Sequence, residues 1–177
     1  TRDMRAMGGL GGKMPFVRLV FITGSLALAG LPILNGFWSK ELILEAGLKE
    51  GPLWAYLGML LGAGLTAFYT FRMVWLVFFG EARTDAAKSA QESPKVMTLP
   101  LVVLAVLSVV GGALNLPFEG FHTLGHWLGY TLGEVEGLPL NMQVAGISTA
   151  LALIAIFVIT HLHVLWRACN EPCCQHN

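Results

Sequence analysis

Charge is what this chain lacks first. Lys, Arg, Asp and Glu make up 12% of its 177 residues, against roughly 25% in soluble domains. That scarcity excludes an ordinary water-facing surface, and with 55% hydrophobic residues and a mean hydropathy of +0.65 the chain reads as a membrane protein. Basic excess is missing too. The 11 Lys and Arg are balanced by 11 Asp and Glu, so no cationic face exists to displace counterions from phosphates, and nucleic acid is excluded as a partner. Cysteine is absent until Cys169, Cys173 and Cys174. An odd set without a partner cluster supports neither a disulfide framework nor a zinc site. No cofactor-binding motif is present. The chain starts at Thr1, and no charged segment with a short apolar core and a small-residue cleavage site precedes the first apolar run; it therefore reads as an internal piece of a longer protein.

Long apolar runs are what the chain has. The expected fold is all-α, a single membrane domain over 1–177: a polytopic transmembrane helix bundle of about four spans with the first discontinuous, plus an interfacial amphipathic helix. The spans are expected at 18–48, 53–79, 96–114 and 142–166, with a polar loop at 80–95. Segment 118–138 repeats apolar residues at helical spacing but carries Glu119, Glu134 and Glu136, so it is expected to lie along the interface rather than to cross. Gly58, Gly62, Gly64, Ala63 and Ala67 make a small-residue strip on the second span, a packing feature that lets helices approach closely in lipid.

The first span holds the candidate site. Gly30, Pro32 and Gly36 fall inside it, and proline cannot continue a helix without losing a hydrogen bond. The half before the break, 18–31, is too short to cross a hydrocarbon core of about 30 Å. It needs the half at 36–48, which carries Lys40, Glu41 and Glu45. An ammonium at bilayer depth costs about 2.5 kcal/mol or more, so an intramembrane lysine points to use. Exposed helix ends next to a titratable side chain can hold and release an ion. The plain structural alternative is a lysine snorkelling to the headgroups.

Flanking charge sets an expected orientation. Arg2, Arg5, Lys13, Arg18, Arg83, Lys88, Lys95 and Arg167 fall on one side, against Lys49 on the other, which places both ends of the chain on the cytoplasmic side or its equivalent. Arg72 sits about two turns inside the second span, from which it can snorkel. His122 and His126 share the i, i+4 spacing of paired metal ligands, but only Glu119 stands near as a third, so no metal site is expected. His161 and His163 cannot share one helix face.

The runs TRDMRAMGGLGGKMP, GSLALAGLPILNGFWSKELIL, LTAFYTFRMVWLVFFGE and ESPKVMTLPLVVLAVLSVVGG resemble the antiporter-like proton-pumping membrane subunits of NADH:quinone oxidoreductase, respiratory complex I, the branch called chain L in bacteria and subunit 5 in mitochondria. The resemblance covers residues 1–117 closely and the rest by layout. It implies that the first span is the family's discontinuous twelfth helix, that Lys40 is the proton-transferring lysine nearest the outlet, and that Glu41 is an adjacent modulating carboxylate. It further implies no cofactor in this piece, other membrane-arm subunits and the lipid bilayer as partners, and a bacterial inner membrane rather than a mitochondrial one as the setting. The family's inlet-side glutamate and central lysine belong to upstream helices outside this chain, so the piece is not expected to pump alone. The ending CNEPCCQHN matches nothing in that family. Two other readings are a large subunit of a multisubunit cation/proton antiporter and a structural membrane subunit holding Lys40 in a buried ion pair.

Overall fold

A computed structural model of the chain describes residues 3–4, 6–113 and 141–169. The expected interfacial segment 118–138, with Glu119, His122 and His126, lies outside the described residues, as do Cys173 and Cys174. The described residues are helical, without strands: α1 (Pro15–Ala29), α2 (Asn35–Lys49), α3 (Leu53–Phe78), the short α4 (Asp85–Lys88), α5 (Lys95–Ala113) and α6 (Met142–Cys169), with a 3₁₀ turn at Leu10–Gly12. In lipid this is the economical solution, because a helix satisfies its own backbone.

Local chemistry explains the boundaries. α1 begins at Pro15, in the first turn where proline's missing N–H costs nothing. The Phe16 N–H in the same turn donates to the Glu92 carboxylate at 3.2 Å, an acid placed at the positive end of the helix by a segment distant in sequence. α3 starts directly behind Pro52, and α5 tolerates Pro100 in its early turns. Within 80–95, Thr84 forms an N-cap on α4, accepting from the Ala87 N–H at 3.3 Å while its hydroxyl donates to the Ala6 carbonyl at 2.9 Å. Thr84→Ala should cost about 1 kcal/mol and untie the N-terminal segment from this loop; faster protease cleavage between residues 80 and 94 in detergent would register it.

α3, α5 and α6 are each long and apolar enough to cross a membrane, whereas α1 is shorter. The protein is a polytopic helical membrane bundle. α3 packs along α6 and α1, with Ala29, Ala67, Phe71, Ala152 and Ile159 at the contact. Ala67 is fully buried, and Leu151 of α6 reaches Gly64, while Gly58 and Gly62 face open space. Only part of the small-residue strip is therefore spent on these helices. Lipid is as apolar as leucine, so packing and polar pins must hold helices together. The Trp75 indole donates to Thr160 at 3.2 Å, joining α3 to α6, and Ser108 donates to the Asn35 amide oxygen at 3.1 Å, joining α5 to α2.

A lysine at a helix break as the candidate functional site

α1 ends in a Schellman arrangement. The Gly30 N–H donates to Ala27 at 3.1 Å and the Leu31 N–H to Leu26 at 3.1 Å, with Gly30 at φ 80. Glycine takes that left-handed conformation without steric cost. The chain then runs through Pro32 and Ile33 to Leu34, the extended N-cap of α2. Ile33 is at φ 86, a β-branched residue in a region that such residues avoid. Its carbonyl lies so close to Gly112 of α5 that a methyl group there would overlap it. Likewise, a methyl group at Gly36 would overlap the Ala27 carbonyl, so the first turn of α2 rests directly on the last turn of α1. The Schellman bonds do not use the Ala29 carbonyl, which stands at the negative end of the α1 dipole.

Lys40 fills that vacancy. Its Nζ donates to the Ala29 oxygen at 2.8 Å. The side chain lies across Gly30, where a methyl group would come 2.9 Å from Cδ and 3.0 Å from Nζ. Lys40 also lines an open cavity of about 400 Å³, together with Ala27, Gly36, Ser39, Met59 and Ala63. A proton donor is thus held by a helix terminus, on a residue that borders a groove wide enough for water. Gly30→Ala would strain the turn and push Lys40 aside. An expected loss of about 1–2 kcal/mol should show as a lower midpoint for thermal unfolding in detergent.

Glu41 turns the other way. Its side chain is buried and hydrogen-bonded to the Ser148 hydroxyl of α6, and its Oε2 has no hydrogen-bond partner. Lys40 and Glu41 form no close ion pair with each other, because neighbours on a helix point apart. Glu45, one turn further, is buried as well and pairs with Lys49 at 2.8 Å. Of the break residues, Gly30 and Gly36 bear directly on the geometry around Lys40, while Pro32 is exposed in the connection. Ala29, Ile33, Gly112 and Ser148 did not stand out in the sequence. A carbonyl, a strained isoleucine and a serine on a distant helix carry no signal until the chain is folded. Among the described residues no group of His, Cys, Asp and Glu is arranged to hold a metal.

These features define an all-helical polytopic membrane protein organised around a discontinuous helix, with a lysine from the second half closing the first. The chain is similar to the antiporter-like membrane subunits of NADH:quinone oxidoreductase. Residues 1–66 match the family model described as NADH:quinone oxidoreductase/Mrp antiporter, TM. The chain is 43% identical over 138 residues to NADH-quinone oxidoreductase subunit L of Mycobacterium tuberculosis, covering 76% of this chain and 21% of the relative. It is 35% identical over 175 residues to the chloroplastic NAD(P)H-quinone oxidoreductase subunit 5 of Mesostigma viride, covering 93% and 26%. With NAD(P)H-quinone oxidoreductase chain 5 of a Picosynechococcus strain it shares 35% over 191 residues, covering 94% and 29%. The chain thus spans 21 to 29% of the length of these relatives.

Proposed function

We propose that this chain is part of a proton-translocating membrane-arm subunit of an NADH:quinone oxidoreductase, in which Lys40 takes up and releases the proton at a helix break. One observation carries the reading: the Lys40 amine donates to the free Ala29 carbonyl at the helix break, beside a groove that Lys40 lines, and forms no ion pair with a carboxylate. A structural cation of that cost would be expected to carry a buried counter-charge. The amine instead donates to a single backbone carbonyl, a contact that a flexible lysine stem can release and re-form.

Its partners in this reading are the other membrane-arm subunits, the lipid bilayer and protons, and no cofactor is held by these residues. The setting we propose is a bacterial plasma membrane, a choice supported by the bacterial relative at 43% identity. Expression of the full-length subunit with an affinity tag tests the assembly. NADH-dependent quinone reduction should co-purify with the tag after mild detergent extraction. Purification with other transport subunits and no NADH-oxidising activity would favour a cation/proton antiporter instead.

A further inference from the structure

The charged side chains of α2 find partners within this chain: Lys40 on the Ala29 carbonyl, Glu41 on the Ser148 hydroxyl, Glu45 on Lys49. Arg72 of α3 does not. Among the described residues it forms no ion pair, and it stands exposed on a helix long and apolar enough to cross a membrane. It lies about 9 Å short of the Phe78 end of that helix. A guanidinium at such a depth is costly unless something answers its charge.

The face that carries Arg72 is continuous. At 3.6 residues per turn, Gly58, Leu61, Gly62, Leu65, Tyr69 and Arg72 fall within an arc of roughly 100°, and all of them are exposed. Ala63, Ala67, Thr70 and Val74 are buried and lie on the opposite side. Along the exposed face Gly58, Leu65 and Arg72 recur at heptad spacing with Leu61 and Tyr69 between them, the repeat by which one helix seats along another. A lipid-facing helix needs no such repeat. It also gains nothing from glycine, which costs about 1 kcal/mol of helix propensity at each position. A second helix does gain, because Gly58 and Gly62 meet only open space within this chain and let another backbone come close. Snorkelling toward the headgroups would answer the arginine alone and leave the glycines without a use.

We propose that this face of α3 seats another transmembrane helix of the full-length subunit, one that presents an Asp or Glu to Arg72. The proposal rests on the reading of this chain as part of a longer membrane subunit. The chain spans 21 to 29% of the length of its relatives, so most of such a subunit lies outside it. A helix tied to α3 through the same polypeptide meets it at high effective concentration, which favours it over a helix of a separate subunit. The chemistry of the occupant follows from the face. A carboxylate opposite Arg72 can accept two parallel hydrogen bonds from the guanidinium fork and cancel its charge. The Tyr69 hydroxyl, about one turn away, can donate to the same group. Further along, large apolar side chains of the partner fill the notches at Gly62 and Gly58. A partner without an acid would bury Arg72 unpaired, which is strongly unfavourable.

The test uses the full-length subunit in its native membranes, with a photo-reactive benzophenone amino acid in place of Tyr69. Cross-linked peptides should come from another apolar helix of the same subunit, with an Asp or Glu within about two turns of the linked residue. Cross-links to lipid alone, to a different subunit, to a helix without such an acid, or to nothing would overturn the proposal. Charge exchange then checks the pair. Arg72→Glu should lower the amount of assembled subunit at least about tenfold, and changing the identified acid to Arg in the same protein should restore most of it. Full assembly of Arg72→Glu, or no restoration by the exchange, would count against the ion pair. Gly62→Leu distinguishes a helix from lipid: against a helix it should lower assembly at least about fivefold, whereas unchanged or higher assembly would mean that lipid covers this face. Failure on these points would leave the role of Lys40 intact. A full-length subunit that does not co-purify with NADH-dependent quinone reduction would overturn that reading and leave the docked helix in place.

Discussion

Replacing Lys40 by methionine should give a subunit that assembles and no longer passes protons. Methionine is close in length and apolar, so it can lie across Gly30 as the lysine stem does. What disappears is the amine on the Ala29 carbonyl. Leaving that oxygen without a donor should cost about 1–3 kcal/mol, a loss a large assembly can absorb. The functional loss should be greater, since a positioned proton-transfer group typically contributes about 10²–10⁴-fold. Quinone reduction tied to pumping should fall with it. Assembly is read from native gels, and translocation from the pH gradient built by inverted vesicles during NADH oxidation.

The second large effect concerns packing rather than chemistry. Gly36→Ala should displace α2 from α1, because the added methyl group overlaps the Ala27 carbonyl, and backbone there cannot rotate away as a flexible side chain can. Overpacking of this kind costs about 1–3 kcal/mol. It also draws Lys40, one turn further along α2, away from Ala29, so proton transfer should weaken in step with stability. Gly24→Ala in α1 is the control: a methyl group there meets only open space, and the change should be neutral or stabilise by up to about 1 kcal/mol through helix propensity. Thermal unfolding midpoints in detergent should separate the two. Equal midpoints for Gly36→Ala and the unsubstituted protein would mean that α1 and α2 are not held in the close contact described.

How much of this was legible beforehand follows from the range over which each signal acts. Scarcity of charge and long apolar runs are properties of whole segments, so an all-helical membrane bundle could be read directly. Gly30 and Pro32 are local signals for a helix end, and α1 does end at Ala29. The start of α1 was less legible: hydropathy marks the apolar run from Arg18, but the helix begins at Pro15, favoured by proline in the first turn and by a carboxylate 76 residues away. The partners of the site were the least legible. Lys40 announces itself by its cost in lipid, yet its acceptor is a backbone carbonyl, which every residue has. Ser148 meets Glu41 across 107 residues, and no spacing rule spans such a distance. Ile33 gave no warning either, since neither its left-handed backbone nor its close approach to Gly112 of α5 is marked by a local sequence signal.

The central claim is that Lys40 must release a proton and not merely supply a positive charge at the break. Lys40→Arg separates those two roles. Arginine keeps the cation and can still donate to the Ala29 carbonyl, but a guanidinium with a pKa above about 12 does not give up its proton in the working range. Simultaneous recording of NADH oxidation and proton movement in sealed vesicles, with full-length subunit carrying either residue, should show the proton-to-electron ratio of the Lys40→Arg enzyme falling to that of Lys40→Met. An unchanged ratio in an assembled Lys40→Arg enzyme would contradict the account and make Lys40 a structural cation that holds the two helix ends together.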